Sequence, residues 1–115
     1  VTGATGAVGP CVVRALCEAD HVVRTFALDR APTGMLPSGV EELIGDIGDA
    51  PAVRQAMQDV EVVIHLAALL HIVNPPLEML ARYERINVGG TRSVVDAALA
   101  AGVGRMVLAS TIAVY

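Results

Sequence analysis

Val1-Thr2-Gly3-Ala4-Thr5-Gly6-Ala7-Val8-Gly9 opens the chain, and the glycines at 3, 6 and 9 decide how everything after them is read. A chain that turns from a strand into a helix needs backbone without Cβ wherever phosphate oxygens are to approach. The free amides of the first helical turn, with the helix dipole behind them, then attract a diphosphate. A glycine-rich turn that merely packs a helix on a strand would look the same, so the triplet has to be weighed in its context.

The residues downstream supply that context. Val8, Val12, Ala15, Leu16 and Ala19 fall at i, i+4, i+7, i+8 and i+11, which predicts one apolar stripe of a helix starting near Gly6 or Ala7, with Pro10 tolerated in its first turn. Cys11 and Cys17 read as small hydrophobes on that helix. Residues 21–28 (HVVRTFAL) predict a buried strand ending at Asp29-Arg30. After a Pro- and Gly-rich loop, residues 40–44 predict a short strand, and Asp49-Ala50-Pro51 predicts an N-capped helix to about Gln58. Residues 61–66 (EVVIHL) predict a strand buried on both faces. Residues 67–80 read as a loop or broken helix, residues 82–101 as a long helix closed by Gly102, and residues 105–109 as a last strand. The remnant before Gly3 makes about five strands alternating with helices, an incomplete, doubly wound parallel α/β sheet.

Composition narrows the class of function. The 115 residues carry a net charge of −4, and their eight basic residues are all Arg and scattered, which argues against nucleic-acid binding. Apolar residues make up 54%, yet no run reaches the roughly 18–20 residues of a membrane span, so no membrane partner is expected. Two cysteines six apart form no framework, and a cytoplasmic protein with reduced thiols is the simplest reading. His21 and His71 have no ligand-like spacing, so no metal site is expected. His65, in an apolar strand, reads as a core histidine with its hydrogen bonds satisfied, in preference to a base or ligand.

Asp29 lies twenty residues after Gly9 at a strand end, where its carboxylate can accept hydrogen bonds from an adenosine ribose. Arg30 could instead meet a 2′-phosphate, but the neighbouring carboxylate would repel one, which favours NAD over NADP. Gly89-Gly90 inside a helix costs up to about 1 kcal/mol per residue against Ala and suggests close approach of another backbone or a ligand. Asp46 could cap a turn between glycines, and Ser110-Thr111 could be ordinary strand-end hydroxyls.

Taken in order, Thr2-Gly3-Ala4-Thr5-Gly6-x-x-Gly9, the strand-end Asp29, Gly45-Asp46-Ile47, His65-Leu66-Ala67-Ala68, Asn87-Val88-Gly89-Gly90-Thr91 and the stretch from Ser110 to Tyr115 resemble the extended short-chain dehydrogenase/reductase family. In pattern the chain looks like the NAD-dependent epimerase/dehydratase group, typified by UDP-glucose 4-epimerase, with its Rossmann-like fold. The resemblance implies that Gly3, Gly6, Ala7, Val8 and Gly9 line the pyrophosphate and Asp29 holds the ribose. It implies that Asp46 and Ile47 sit against adenine, that Leu66, Ala67, Ala68, Leu69 and Leu70 floor the pocket, and that Asn87 faces the cofactor. Thr111, beside Ser110, matches the residue that hydrogen-bonds the reacting hydroxyl.

In this family a Tyr, its pKa lowered by a Lys four residues later, takes the hydroxyl proton as hydride leaves for the nicotinamide. This sequence has no Lys, Tyr83 has no such partner and Tyr115 is the last residue. The expectation is therefore a partial dinucleotide-binding domain, cut at both ends, inactive by itself and without its substrate region. The parent is expected to be an enzyme acting on a nucleotide sugar. The alternatives are a hydroxysteroid- or flavonoid-type alcohol dehydrogenase, or a non-catalytic dinucleotide sensor. Relatives commonly dimerise through helices flanking the sheet, so a homodimer is a further expectation.

Overall fold

The computed structural model describes residues 1–70 and 76–110. The elements run α1 (Gly9–Glu18), β1 (Arg24–Ala27), β2 (Glu41–Ile44), α2 (Ala50–Ala56), β3 (Val62–His65) and α3 (Leu77–Tyr83). A π-helical stretch (Glu84–Gly90), α4 (Thr91–Ala100) and β4 (Arg105–Leu108) complete them. Among the described residues, no helix is long and apolar enough to cross a membrane.

β1 and β2 pair in parallel from Arg24↔Glu41 to Ala27↔Ile44, and β3 and β4 in parallel from Val62↔Arg105 to His65↔Leu108. Thr2 joins the two pairs, bridging Phe26 on one side and His65 on the other, both in parallel. Its amide donates to the Ile64 carbonyl at 3.0 Å, the Leu66 amide donates to its carbonyl at 3.2 Å, and the Gly3 amide donates to the Phe26 carbonyl at 3.0 Å. The order is thus β2, β1, the leading segment, β3, β4. From the centre the chain works outward first to one side and then to the other, and the order reverses between Thr2 and β3. In open parallel sheets, ligands bind beyond the carboxyl ends of the strands at such a reversal.

Helices cover both faces. On one, α2 and α4 enclose Phe26, Ile47, Val53, Val63, Val94 and Ala97. On the other, α1 packs Val13 against Ala4 and Val23, with Leu16, Cys17 and Val40 at the margin. Asp49 caps α2, its carboxylate accepting from the Ala52 amide at 3.4 Å. Gly102, at φ +70°, closes α4: its amide donates to the Leu99 carbonyl at 3.2 Å and the Val103 amide to the Ala98 carbonyl at 2.9 Å. That left-handed residue with two backward bonds is the usual glycine stop for a helix.

Several expectations need correction. The buried line of α1 is Gly9 and Val13, flanked by half-buried Val12, Leu16 and Cys17, so of the expected stripe only Val12 and Leu16 turn inward and the fully buried positions lie one step round from it. Val8 and Ala19 are the flanking cap positions and are exposed, as is Ala15. Glycine 9 scores nothing in a hydrophobic count, yet its missing side chain is what lets the helix close on the sheet. Cys11 is exposed and does not act as a core residue, whereas Cys17 packs against the second cluster. The strand expected over 21–28 is limited to Arg24–Ala27, with His21, Val22 and Leu28 exposed. β3 is not covered on both faces: Val63 and His65 are buried, but Val62 is 49% exposed. The long helix starts earlier than expected, at Leu77, and carries a π-helical stretch that hydrophobic periodicity could not signal.

Candidate functional site

The glycine turn leaves the sheet at the reversal point. Gly3 has φ +70°, and a Cβ there would lie 2.6 Å from the Ala67 amide nitrogen and 2.7 Å from its Cα. The turn is therefore pressed against the segment leaving β3. A Cβ on Gly9 would overlap the Ala4 carbonyl, 2.5 Å from its carbon, which fixes α1 directly on the backbone of the turn. Gly6 differs from both. It is exposed, and a Cβ there would meet only the Gly3 carbonyl oxygen, at 3.3 Å. The outer two glycines are needed by the fold, while the middle one presents bare backbone to whatever approaches. Ala7 and Val8 are exposed beside it, and α1 begins with no side chain capping its amides. A diphosphate fits this arrangement of uncapped helix-start amides, dipole and open glycine, the Gly6 amide itself donating to the Gly3 carbonyl at 3.1 Å.

Asp29 and Arg30 lie exposed just beyond β1. Sequence reasoning missed Glu42, whose carboxylate accepts from the Ala31 amide at 2.9 Å and so holds the chain after Arg30 against β2. Asp46 spans its turn as the plainer reading had it: one oxygen accepts from the Gly48 amide at 2.7 Å, and the other lies 4.0 Å from Arg85. The Ile47 side chain is buried in the core, where a Cβ on Gly90 would come within 2.6 Å of it. That contact accounts for Gly90, the close neighbour being an isoleucine side chain. A Cβ on Gly89 would meet only the Glu84 carbonyl oxygen, at 3.9 Å, so no close approach explains that residue.

Leu66 and Ala67 are half-buried, Ala68 is exposed and Leu70 is 79% exposed. Asn87 is clamped to this segment, with its Oδ1 accepting from the Leu69 amide at 2.7 Å and its Nδ2 donating to the Leu69 carbonyl at 3.0 Å. Ser110 is exposed beyond β4. Thr111, His71 and Tyr115 lie outside the described residues.

His65 is 1% exposed, with its Nδ1 2.6 Å from the Thr2 hydroxyl oxygen and its Nε2 3.0 Å from the Thr91 hydroxyl oxygen. Both ring nitrogens are engaged, so the core-histidine reading holds. Burial lowers its pKa below 6.5 and keeps the ring neutral. Thr2 and Thr91 are the partners that periodicity could not nominate, because they meet His65 only once the strands and helix assemble. A cavity of about 630 Å³ lies at the opposite edge, lined by Val22, Arg24, Glu61, Val62 and other residues near the amino ends of β1 and β3. Gly3, Gly6 and Gly9 do not line it.

A parallel α/β sheet with an open glycine turn at its order reversal, a helix start behind it and a carboxylate at the next strand end is the plan of a dinucleotide-binding domain. The chain belongs to the 3-beta hydroxysteroid dehydrogenase/isomerase family, whose model matches residues 1–115, and with it to the extended short-chain dehydrogenases/reductases. Among curated relatives it is 37% identical over 116 residues to a 3 beta-hydroxysteroid dehydrogenase/Delta 5→4-isomerase of Mycobacterium tuberculosis, covering 96% of this chain and 30% of that protein. It is 40% identical over 111 residues to an L-arabinose 1-dehydrogenase (NAD(P)(+)) of Haloferax volcanii, covering 96% and 39%. It is 38% identical over 126 residues to a dTDP-glucose 4,6-dehydratase of Streptomyces antibioticus, covering 100% and 37%.

Among solved structures, a short-chain dehydrogenase/reductase superfamily protein of Agrobacterium tumefaciens with bound NAD superposes with a TM-score of 0.82 at 39% identity, over 96% of this chain and 31% of that one. MoeE5 in complex with UDP-glucose and NAD superposes at 0.85 with 32% identity, over 99% and 36%. The chain thus spans only 30% to 39% of the length of these proteins.

Proposed function

We propose that this chain is the coenzyme-binding part of a longer NAD-dependent enzyme that removes hydride from a ring carbon bearing a secondary alcohol. The observation that carries the reading is Gly6: bare, exposed backbone between two glycines that the fold itself requires. Gly6, Ala7, Val8 and Gly9 would hold the diphosphate, and Asp29 the adenosine ribose, whose hydroxyls its carboxylate can accept from. Asp46, the backbone of Ile47 and the segment Leu66, Ala67, Ala68 and Leu70 would enclose the remainder, with Asn87 holding that segment in place. Bound here, the nicotinamide supplies a hydride acceptor. Ser110 and Thr111 would stand beyond β4, Thr111 hydrogen-bonding the reacting hydroxyl. The proton would go to a Tyr-Lys pair elsewhere in the protein, so this chain by itself should turn over nothing.

For the substrate we infer a nucleotide sugar, used in epimerisation or dehydration. The dTDP-glucose 4,6-dehydratase relative and the UDP-glucose complex support it. An alicyclic alcohol of hydroxysteroid type is the second reading, favoured by the family match and by the exposed apolar side chains of Leu70, Leu77 and Leu80. The test is to purify the intact protein and follow nicotinamide reduction and product formation with a panel of UDP- and dTDP-hexoses and of 3β-hydroxysteroids. Conversion of a nucleotide sugar supports the first reading. Turnover of steroids alone replaces it with the second, and failure to bind NAD at all defeats both.

A further inference from the structure

Asn87 and Thr91 lie four residues apart, one at the π-helical stretch and one at the start of α4, and both reach the segment that leaves β3. Asn87 grips the Leu69 backbone directly, through two hydrogen bonds. Thr91 acts at a distance, through a buried file of polar groups. The Ala67 amide donates to the Thr2 hydroxyl oxygen at 3.3 Å, Thr2 lies 2.6 Å from His65 Nδ1, and His65 Nε2 lies 3.0 Å from the Thr91 hydroxyl oxygen.

A neutral imidazole carries one N–H, so its two bonds must run in one direction. Either Thr2 donates to Nδ1 and Nε2–H donates to Thr91, or Thr91 donates to Nε2 and Nδ1–H donates to Thr2, whose oxygen has a second lone pair for the Ala67 amide. In either direction every buried side-chain N and O atom of the file has a partner. The file also crosses the point where a Cβ on Gly3 would strike Ala67. It therefore fixes how far the β3 segment stands from the glycine turn.

We propose that Thr91 is a positioning residue for the coenzyme: through His65 and Thr2 it sets the height of residues 66–70 above the glycine turn, and with it the seat of the nucleoside on the β3 side. This rests on the coenzyme-binding function proposed for the glycine turn. A dinucleotide laid across the reversal, with its diphosphate on the turn and its adenosine ribose at Asp29, places its other nucleoside beside residues 66–70. ADP carries the diphosphate and the adenosine but nothing that reaches that segment.

Thr91→Val keeps the volume and removes the hydroxyl that partners His65 Nε2, so the buried file has to rearrange. In the intact protein, calorimetric titration should show NAD binding weakened about tenfold in Thr91→Val, with ADP binding changed less than about twofold, and Thr91→Ser, which keeps the hydroxyl, close to the parent. A merely structural role would lower both affinities together or neither, and either result overturns the proposal. Should Thr91→Val fail to fold, amide hydrogen exchange on the unsubstituted protein serves instead. The Ala67 amide should be protected without coenzyme while that of exposed Ala68 exchanges fast, and equal exchange at the two overturns the proposal. If the unsubstituted protein binds ADP but not NAD, the proposal fails; if it binds neither, the coenzyme reading falls and the proposal with it.

Discussion

Replacing Gly6 by Ala and, separately, Gly9 by Ala should divide coenzyme binding from folding. At Gly9 the new methyl would lie 2.5 Å from the Ala4 carbonyl carbon and 2.6 Å from its Cα, both backbone atoms that cannot step aside. α1 would have to lift by the better part of an ångström, and such overpacking costs about 1–3 kcal/mol. At Gly6 the single contact is with the Gly3 oxygen at 3.3 Å, tight but able to relax by a few tenths of an ångström, and the backbone is outside the left-handed region. The loss of unfolded-chain freedom on replacing a glycine offsets roughly 0.4–1 kcal/mol, so Gly6→Ala should lie within about 0.5 kcal/mol of the parent in urea denaturation. Its methyl would nevertheless stand where a phosphate oxygen must come. Displacing that oxygen weakens bonds to a charged acceptor worth about 1.5–3 kcal/mol each, a loss of roughly 10- to 100-fold in NAD affinity. The assay pairs urea denaturation with calorimetric titration of NAD on the intact protein. Gly6→Ala that binds NAD like the parent, or that unfolds as readily as Gly9→Ala, would refute the division of labour among the three glycines.

The same geometry sets other outcomes. Asp29→Ala should lower NAD affinity by roughly tenfold or more and NADP affinity much less, since it removes hydrogen bonds to the ribose and a charge that repels a 2′-phosphate; equal losses in titrations with both would show that the ribose is held elsewhere. Gly90→Ala brings a methyl within 2.6 Å of Ile47 and should cost about 1–2 kcal/mol in denaturant, the clash outweighing the gain of about 1 kcal/mol in helix propensity; a stabilised variant would contradict the packing. Because burial lowers the His65 pKa below 6.5, the unfolded chain binds more protons there, so stability should be complete above about pH 6.5 and decline as pH falls below it. Denaturation curves of the intact protein from pH 5 to 8 check this; no loss of stability below about pH 6.5 would contradict it.

Much of the fold was legible because its signals are local. The glycine triplet, the strand-end Asp29, the Asp49 cap and the Gly102 stop each act within a few residues of themselves, and each is where the sequence implies. What escaped depends on assembly. α1 buries a line one step away from its apolar stripe because close approach at Gly9, not hydrophobic area, sets which side meets the sheet. The π-helical stretch has no signature in periodicity, yet it lies just ahead of Thr91, which faces His65, and includes Asn87, which clamps Leu69. Ile47 was expected against adenine, but its side chain belongs to the core beneath Gly90, leaving its backbone for a ligand. Glu42, Thr2 and Thr91 gain their roles only from partners distant in sequence.

The central claim is that a dinucleotide lies on the glycine turn at the carboxyl edge of the sheet. Titrating NAD into the nitrogen-15-labelled intact protein and following its amide resonances tests this most directly. The account predicts that the amides of Gly6, Ala7, Val8 and Gly9 shift most, those of the chain after β1 and β3 shift less, and those of Val22 and Val62 at the opposite edge stay still. Unmoved glycine amides, or shifts gathered around Val22 and Val62, would contradict it.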